Sequence, residues 1–75
     1  MEKEFFDLFS IRKEILSLNV SYLRSCDWCL IISDQRMKAH PDVFVVHHQG
    51  PDRNCVFAQA YASLAEWYSE EFGGY

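Results

Sequence analysis

Apolar residues change their spacing twice along this 75-residue chain, from a helical period to an alternating one and back again. Residues 2–18 place apolar side chains at helical spacing, with Arg12 crossing the apolar face, which predicts an amphipathic helix. Residues 19–33 alternate with a period of two, which predicts a strand. Because strands usually have about 5–6 residues, we expect a bend or hairpin within this segment, near residues 24–27.

The second half of the chain predicts a connection, a strand and a helix. Residues 34–42 are polar and have room for one helical turn after Ser33 or Asp34, and residues 43–48 are rich in β-branched side chains. A helix is predicted over about 54–72, with Asp52 or Asn54 as its N-cap and Gly73 after its end. We therefore predict one α+β domain over residues 1–75, helix-strand-strand-helix, with a short antiparallel sheet packed on two helices.

Composition excludes several classes of protein. Seven Lys and Arg residues against eleven Asp and Glu residues give a net charge of −4, and 49% of residues are apolar. These values exclude a disordered or collagen-like chain, and no apolar run approaches the ~20 residues that span a bilayer. The first residues carry no basic stretch typical of a signal peptide, and the three cysteines are an odd number. We expect a cytoplasmic protein with reduced thiols.

Cysteine and histidine spacing leaves one alternative function open. Cys26 and Cys29 form a C-x-x-C, and Cys55 with His47 or His48 could complete a zinc or thiol site. However, residues three apart on a strand point to opposite faces, so both thiolates could reach one metal only across a bend. We expect no metal and no cofactor, and keep the small zinc or thiol module as an alternative.

Motifs of catalysis are missing from the sequence. It contains no Walker loop, no GxGxxG and no HExxH. His47 and His48 are adjacent on a predicted strand, so at most one of them can face any single site. We therefore expect a protein that is not an enzyme.

The C-terminal segment combines acidic and aromatic residues. Residues 54–75 contain three glutamates and no Lys or Arg. Acids beside exposed aromatic rings suit docking onto a basic protein surface, including one built for nucleic acid. The leading hypothesis is a small acidic protein that binds and modulates or inhibits another protein, as phage or mobile-element inhibitors and antitoxins do. The predicted protein-binding residues are Trp67, Tyr68, Glu70, Glu71, Phe72 and Tyr75.

Two further interactions are predicted. Arg36, Lys38 and Arg53 could form an anion site, which would suit a dimeric nucleic-acid-binding regulator, although a net charge of −4 disfavours direct nucleic-acid binding. Apolar side chains on the second face of the predicted sheet, at Leu23 and Ile31 around Cys29, predict a homodimer. We expect no membrane partner.

Overall fold

Two helices and three antiparallel strands are formed by residues 2–37 and 44–73, the parts of the chain that the computed structural model describes. The predicted α+β class, with a short antiparallel sheet packed on two helices, is confirmed. The elements in chain order are α1 (Glu2–Ser10), β1 (Leu16–Tyr22), β2 (Trp28–Asp34), a 3₁₀ turn (Gln35–Met37), β3 (Phe44–Gly50) and α2 (Arg53–Phe72).

Helix α1 is shorter than the predicted helix over residues 2–18. It ends at Ser10, whose hydroxyl donates to the carbonyl oxygen of Phe6 at 2.8 Å. The chain then turns through residues 11–15, and β1 begins at Leu16. Leu16 fits the helical stripe, but it also begins the alternation that continues along β1. Pairing with β2 selects the strand, because it places the Leu16 side chain on the buried face of the sheet.

The bend or hairpin expected near residues 24–27 is a hairpin, so the predicted long strand is two strands, β1 and β2. Leu23 donates its backbone N–H to the carbonyl of Asp27 at 2.7 Å, and Cys26 donates to the carbonyl of Leu23 at 3.0 Å. Cys26 adopts the left-handed conformation, with a φ of 67°. Next to this turn, Tyr22 at the end of β1 pairs with Trp28 at the start of β2, so their two rings are in contact.

The sheet has the order β1-β2-β3, and its two faces differ sharply. On one face the apolar residues of β2 and β3, including Leu30, Ile32 and Val46, are buried beneath the helices. The opposite face carries Cys29 and Ile31 with polar neighbours. Cys29 is 7% exposed, Ile31 is half-buried, and Leu23 lies in the hairpin, so the apolar patch predicted for a homodimer is small.

Helix α2 begins and ends with the predicted caps. The Asp52 carboxylate accepts from the backbone N–H groups of Asn54 at 2.9 Å and Cys55 at 3.4 Å. Gly73 takes a φ of 69° after the last turn, and its N–H donates to the carbonyl of Ser69 at 3.0 Å. In residues 2–37 and 44–73, no helix is both long and apolar enough to cross a membrane.

One core joins the helices to the sheet. It is formed by buried side chains of every helix and strand: Phe5, Leu8, Leu16, Leu30, Ile32, Val46, Val56, Phe57, Ala60, Leu64 and Tyr68. The start of α1 lies beside the start of α2, where Glu2 forms an ion pair with Arg53 and the ring of Phe5 packs on Phe57. The end of α1 lies against Tyr68, nearer the end of α2.

Candidate functional site

Tyr68 lies in the core and offers no surface to a partner, so its inclusion among the exposed binding residues is wrong. Its side chain is 0% exposed, and its hydroxyl donates to the carbonyl oxygens of Leu8 at 3.0 Å and Phe9 at 3.3 Å. Burial raises the pKa of this phenol above its ordinary value. The residue follows the helical stripe of Leu64 rather than leaving it, because positions four apart share a face.

Trp67 and Phe72, two more of the predicted binding residues, are half-buried and pack against the core. Their rings meet edge to face, with centroids 5.5 Å apart. The guanidinium carbon of Arg12 lies 4.0 Å from the centroid of the Phe72 ring, and that of Arg36 lies 5.7 Å from it. These contacts hold the end of α2 against the segment that follows α1 and against the 3₁₀ turn.

Glu70 and Glu71, two of the predicted protein-binding residues, are exposed at the end of α2. The hydrogen bond from Arg36 to Asp34 is the main reason why the pKa of the Arg36 guanidinium is raised, and the negative charge of Glu71 raises it further. Tyr75 lies outside the described residues. The predicted C-terminal surface therefore keeps its charges, while its described aromatic rings serve largely to pack the chain.

Arg36 is engaged with Asp34 at the end of β2. Its guanidinium donates to both carboxylate oxygens, with Nη2 to Oδ2 at 2.8 Å, and its backbone N–H donates to Oδ1 at 2.9 Å. The carboxyl side chain is 5% exposed, so the bidentate contact compensates a buried charge. The hydrogen bond from Arg36 holds the pKa of Asp34 below its ordinary value, against the opposing effect of burial.

Arg53 lies at the other end of the molecule from Arg36. It is the first residue of α2, whereas Arg36 lies near Phe72 at the end of that helix, and 19 residues at 1.5 Å each separate these ends by about 28 Å. Arg53 is also paired with Glu2. The two arginines thus form no common anion site, and the third member predicted for it, Lys38, lies outside the described residues.

The cysteines and histidines proposed for the zinc or thiol alternative are dispersed. Cys26 is exposed in the hairpin, Cys29 is buried within the sheet, and Cys55 is exposed in the first turn of α2; all three are free thiols. Across residues 2–37 and 44–73, no three Cys, His, Asp or Glu side chains are grouped so that they could hold a metal ion.

His47 and His48 point to opposite faces of β3, as their adjacency predicted. His47 is exposed and its ring packs on Phe44, with centroids 5.7 Å apart. His48 faces α2, where its Nε2 lies 2.8 Å from the hydroxyl oxygen of Ser63. Burial, and secondarily the charge of His47, lower the pKa of His48. Within the described residues no carboxylate orients this ring, so the contact joins β3 to α2 without forming a triad.

An aromatic–arginine surface, which we define as Phe6, Tyr22, Trp28 and Arg53, lies where the hairpin end of the sheet meets the starts of both helices. The rings of Tyr22 and Trp28 are 5.0 Å apart, and the Arg53 guanidinium lies 5.0 Å from the Trp28 ring. Arg53 also lies 5.3 Å from the buried ring of Phe57, which is 5.8 Å from Phe6. Tyr22 is 60% exposed and Phe6 39% exposed, so the row of contacts faces solvent.

Sequence reasoning missed this surface because its members come from four separate segments. In the sequence, Phe6 lies within the predicted helix over residues 2–18, and Tyr22 and Trp28 lie within the alternating segment over residues 19–33. A hairpin with residues 24–27 at its tip would have paired Tyr22 with Trp28, which was the one available signal. Arg53 was instead assigned to an anion site with Arg36.

Comparison with known proteins supplies no function for this chain, so the contacts described above are the basis of the proposal that follows. No protein-family model matches the chain, and neither a curated protein nor a solved structure is significantly similar to it.

Proposed function

We propose that this chain is a small non-catalytic protein that binds another protein through the aromatic–arginine surface and modulates or inhibits it. The observation that carries the proposal is the continuous row of contacts from Tyr22 through Trp28 and Arg53 towards Phe6, exposed at both ends. Tyr, Trp, Phe and Arg are the residue types most enriched at protein interfaces.

The arrangement of Arg53 supports such a role. Glu2 balances its charge, and stacking on Trp28 orders its side chain before any partner arrives. Side chains that are already ordered lose less conformational entropy on binding, so more of the contact energy appears as affinity. Both members of the ion pair remain accessible, with side chains 45% and 42% exposed for Arg53 and Glu2.

Net charge favours a basic target. The chain carries −4, and the exposed Glu70 and Glu71 lie away from the aromatic–arginine surface, at the other end of α2. A field of this sign accelerates encounter with a positive surface, such as that of a nucleic-acid-binding protein, without needing direct contact at each glutamate. Small acidic chains of this type suit the inhibitors and antitoxins of phages and mobile elements, and we assign the protein to that class by analogy.

The test compares two variants with two matched controls. Phe6→Ala and Arg53→Ala each truncate an exposed member of the surface. Ile11→Ala truncates an apolar side chain of similar exposure, 44%, beyond the other end of α1, and Lys13→Ala removes an exposed positive charge there. Tagged proteins are used to capture partners from the native host, the partners are identified by mass spectrometry, and the affinity of the recovered partner is then measured.

We expect the wild-type chain and both controls to capture the same protein. Phe6→Ala and Arg53→Ala should weaken that interaction by about 2 kcal/mol or more, roughly thirtyfold in Kd. Circular dichroism establishes that each variant is folded. Equal affinity of all five proteins for the captured partner would place the binding surface elsewhere.

A further inference from the structure

Strand β1 has one free edge in the described part of the chain, because it is the last strand of the sheet and pairs only with β2. Hydrogen bonds at the two ends of the ladder fix which residues face that edge. Leu23 donates to Asp27, and Gln35 donates to Ile15 at 2.8 Å, so the residues of β1 with odd numbers are bonded to β2. Bonded positions alternate in an antiparallel ladder. The even-numbered residues therefore direct their N–H and C=O groups outward.

One of those outward residues is already engaged. Leu16 donates its N–H to the carbonyl of Lys13 at 3.4 Å, and its own carbonyl accepts from the side chain of Gln35 at 3.4 Å. Three alternate positions then remain along the edge: Leu18, Val20 and Tyr22.

The side chains of the same three residues are incompletely covered. They lie on the face that packs on the helices, opposite the β2 residues Trp28, Leu30 and Ile32. Leu18 and Val20 are nevertheless only half-buried, and Tyr22 is 60% exposed. Coverage by the helices thus ends at this edge, so the outward backbone groups lie beside apolar surface.

Strand β1 also lacks the features by which edge strands usually avoid pairing. Its sequence, Leu-Ser-Leu-Asn-Val-Ser-Tyr, contains no charged residue, no proline and no glycine. The other edge strand, β3, has a register irregularity opposite Ile32 and Ser33. A bulge of this kind disrupts an edge, as inward charges or prolines do, whereas a regular uncharged strand of seven residues is a template for another strand.

We propose that a second copy of this chain pairs with the free edge of β1, antiparallel and about a two-fold axis at Val20, to form a continuous six-stranded sheet. In this register Val20 faces Val20 of the second copy, and Leu18 faces Tyr22 of the second copy. All three outward positions are then bonded in both chains, and each apolar side chain meets another on the helix face. On the opposite face Asn19 meets Ser21 of the second copy.

The second copy is favoured as the occupant because β1 is complementary to itself. An interface about a two-fold axis requires each residue to accept its symmetry mate, and this register places no charge opposite a like charge. Two chains of net charge −4 therefore meet along a neutral strand. This inference rests on the backbone of β1 and not on the contacts that define the proposed target surface. Because Tyr22 belongs to both surfaces, the test of the dimer uses substitutions of Val20, and the test of the target surface uses substitutions of Phe6 and Arg53.

Mass measured against concentration is the first test. Sedimentation equilibrium from about 5 to 500 μM should give a dimer that dissociates on dilution. Val20→Pro removes an outward N–H while sparing the bonds to β2, and should raise the dimer dissociation constant at least tenfold. Val20→Thr keeps the N–H and the β-branch, and should remain dimeric. A monomer at every concentration, or an unchanged dimer in folded Val20→Pro, would overturn the proposal.

Disulfide trapping tests the register without relying on the proline variant. In a chain carrying Cys26→Ser and Cys55→Ser, Val20→Cys would place two thiols across the axis. Directly bonded pairs have Cα atoms about 5.5 Å apart, within the range that a disulfide spans. Val20→Cys should cross-link under mild oxidation, whereas Asn19→Cys, which faces Ser21 of the second copy, should not. Equal cross-linking of both, or of neither, would contradict this register.

Discussion

The hydroxyl of Tyr68 donates to the carbonyl oxygen of Leu8 at 3.0 Å, across a sequence separation of 60 residues. This contact joins α2 to the end of α1, where the carbonyl of Leu8 also accepts from the backbone N–H of Ile11 at 3.2 Å. Tyr68 thereby contributes a buried ring and a hydrogen bond to the fold. Substitutions of Tyr68 should therefore lower the free energy of unfolding, whereas the sequence predicted that they would weaken binding to a partner.

Replacing Tyr68 separates those two contributions. Tyr68→Phe keeps the ring and removes the donor, and should lower the free energy of unfolding by about 1 kcal/mol. Tyr68→Ala also removes the ring and should cost about 3–5 kcal/mol. Urea unfolding monitored by circular dichroism measures both. Tyr61→Phe, at a half-buried position of the same helix, is the control and should change stability by less than about 0.5 kcal/mol. Full stability of Tyr68→Ala would contradict the buried position.

The ion pair of Asp34 and Arg36 should make stability fall in acid. The pKa of Asp34 is held below its ordinary value of 3.8 by the hydrogen bond from Arg36, so the unfolded chain takes up this proton first. The stabilisation is therefore present above about pH 3.8 and is lost as the pH falls through the folded value. NMR titration of the carboxyl group measures the shift directly.

Removing Arg36 tests the same pair at neutral pH. Arg36→Met leaves a buried carboxylate without its bidentate partner and should cost about 1–3 kcal/mol, towards the low end because solvent reaches the arginine. The pKa of Asp34 should rise in this variant. Lys13→Met, at an exposed position, should leave both the stability and the titration of Asp34 unchanged. If Asp34 titrates identically in both variants, the contact does not form in solution.

Protonation of His48 should lower the free energy of unfolding in a pH range above that of Asp34. Burial and the nearby His47 lower its pKa below the ordinary value of 6.5, so on acidification the unfolded chain binds a proton before the folded one does. The free energy of unfolding should therefore decrease as the pH falls from about 6.5 towards the folded pKa. NMR titration of each imidazole identifies the group. His47→Gln should leave His48 titrating below 6.5, because burial is the larger cause; a value at or above 6.5 would refute this.

Gly73 should be required for its backbone conformation alone. Its φ is 69°, and a Cβ added there would lie within 4 Å of no atom of the described residues other than those of its chain neighbours. Gly73→Ala should cost about 1 kcal/mol through backbone strain, whereas Gly73→Asn should cost less, because Asn adopts left-handed conformations more readily. Thermal unfolding of the three proteins measures the order. Equal stability of the Ala and Asn variants would indicate that the cap does not persist in solution.

The sequence by itself determined the features that depend on neighbouring residues. The N-cap of α2 was predicted at Asp52 or Asn54 and the residue after its end at Gly73, and the structure has Asp52 and Gly73, because a capping carboxylate and a left-handed glycine act within one or two turns. The sequence also left room for one helical turn after Ser33 or Asp34, where the structure has the 3₁₀ turn, and its periodicities predicted the α+β class. A bend or hairpin near residues 24–27 was also predicted, since a strand of 15 residues without one is rare.

Tertiary structure decided whatever depends on pairing between distant segments. Leu16 fits a helix or a strand, and only its partner on β2 selects the strand. Tyr68 continues the helical stripe of Leu64, but the partner of its hydroxyl, the carbonyl of Leu8, is brought to it only by the packing of α1 on α2. The aromatic–arginine surface has the same origin: Trp28 and Arg53 meet because the sheet and the helices pack at that end, a relationship that local periodicity does not encode.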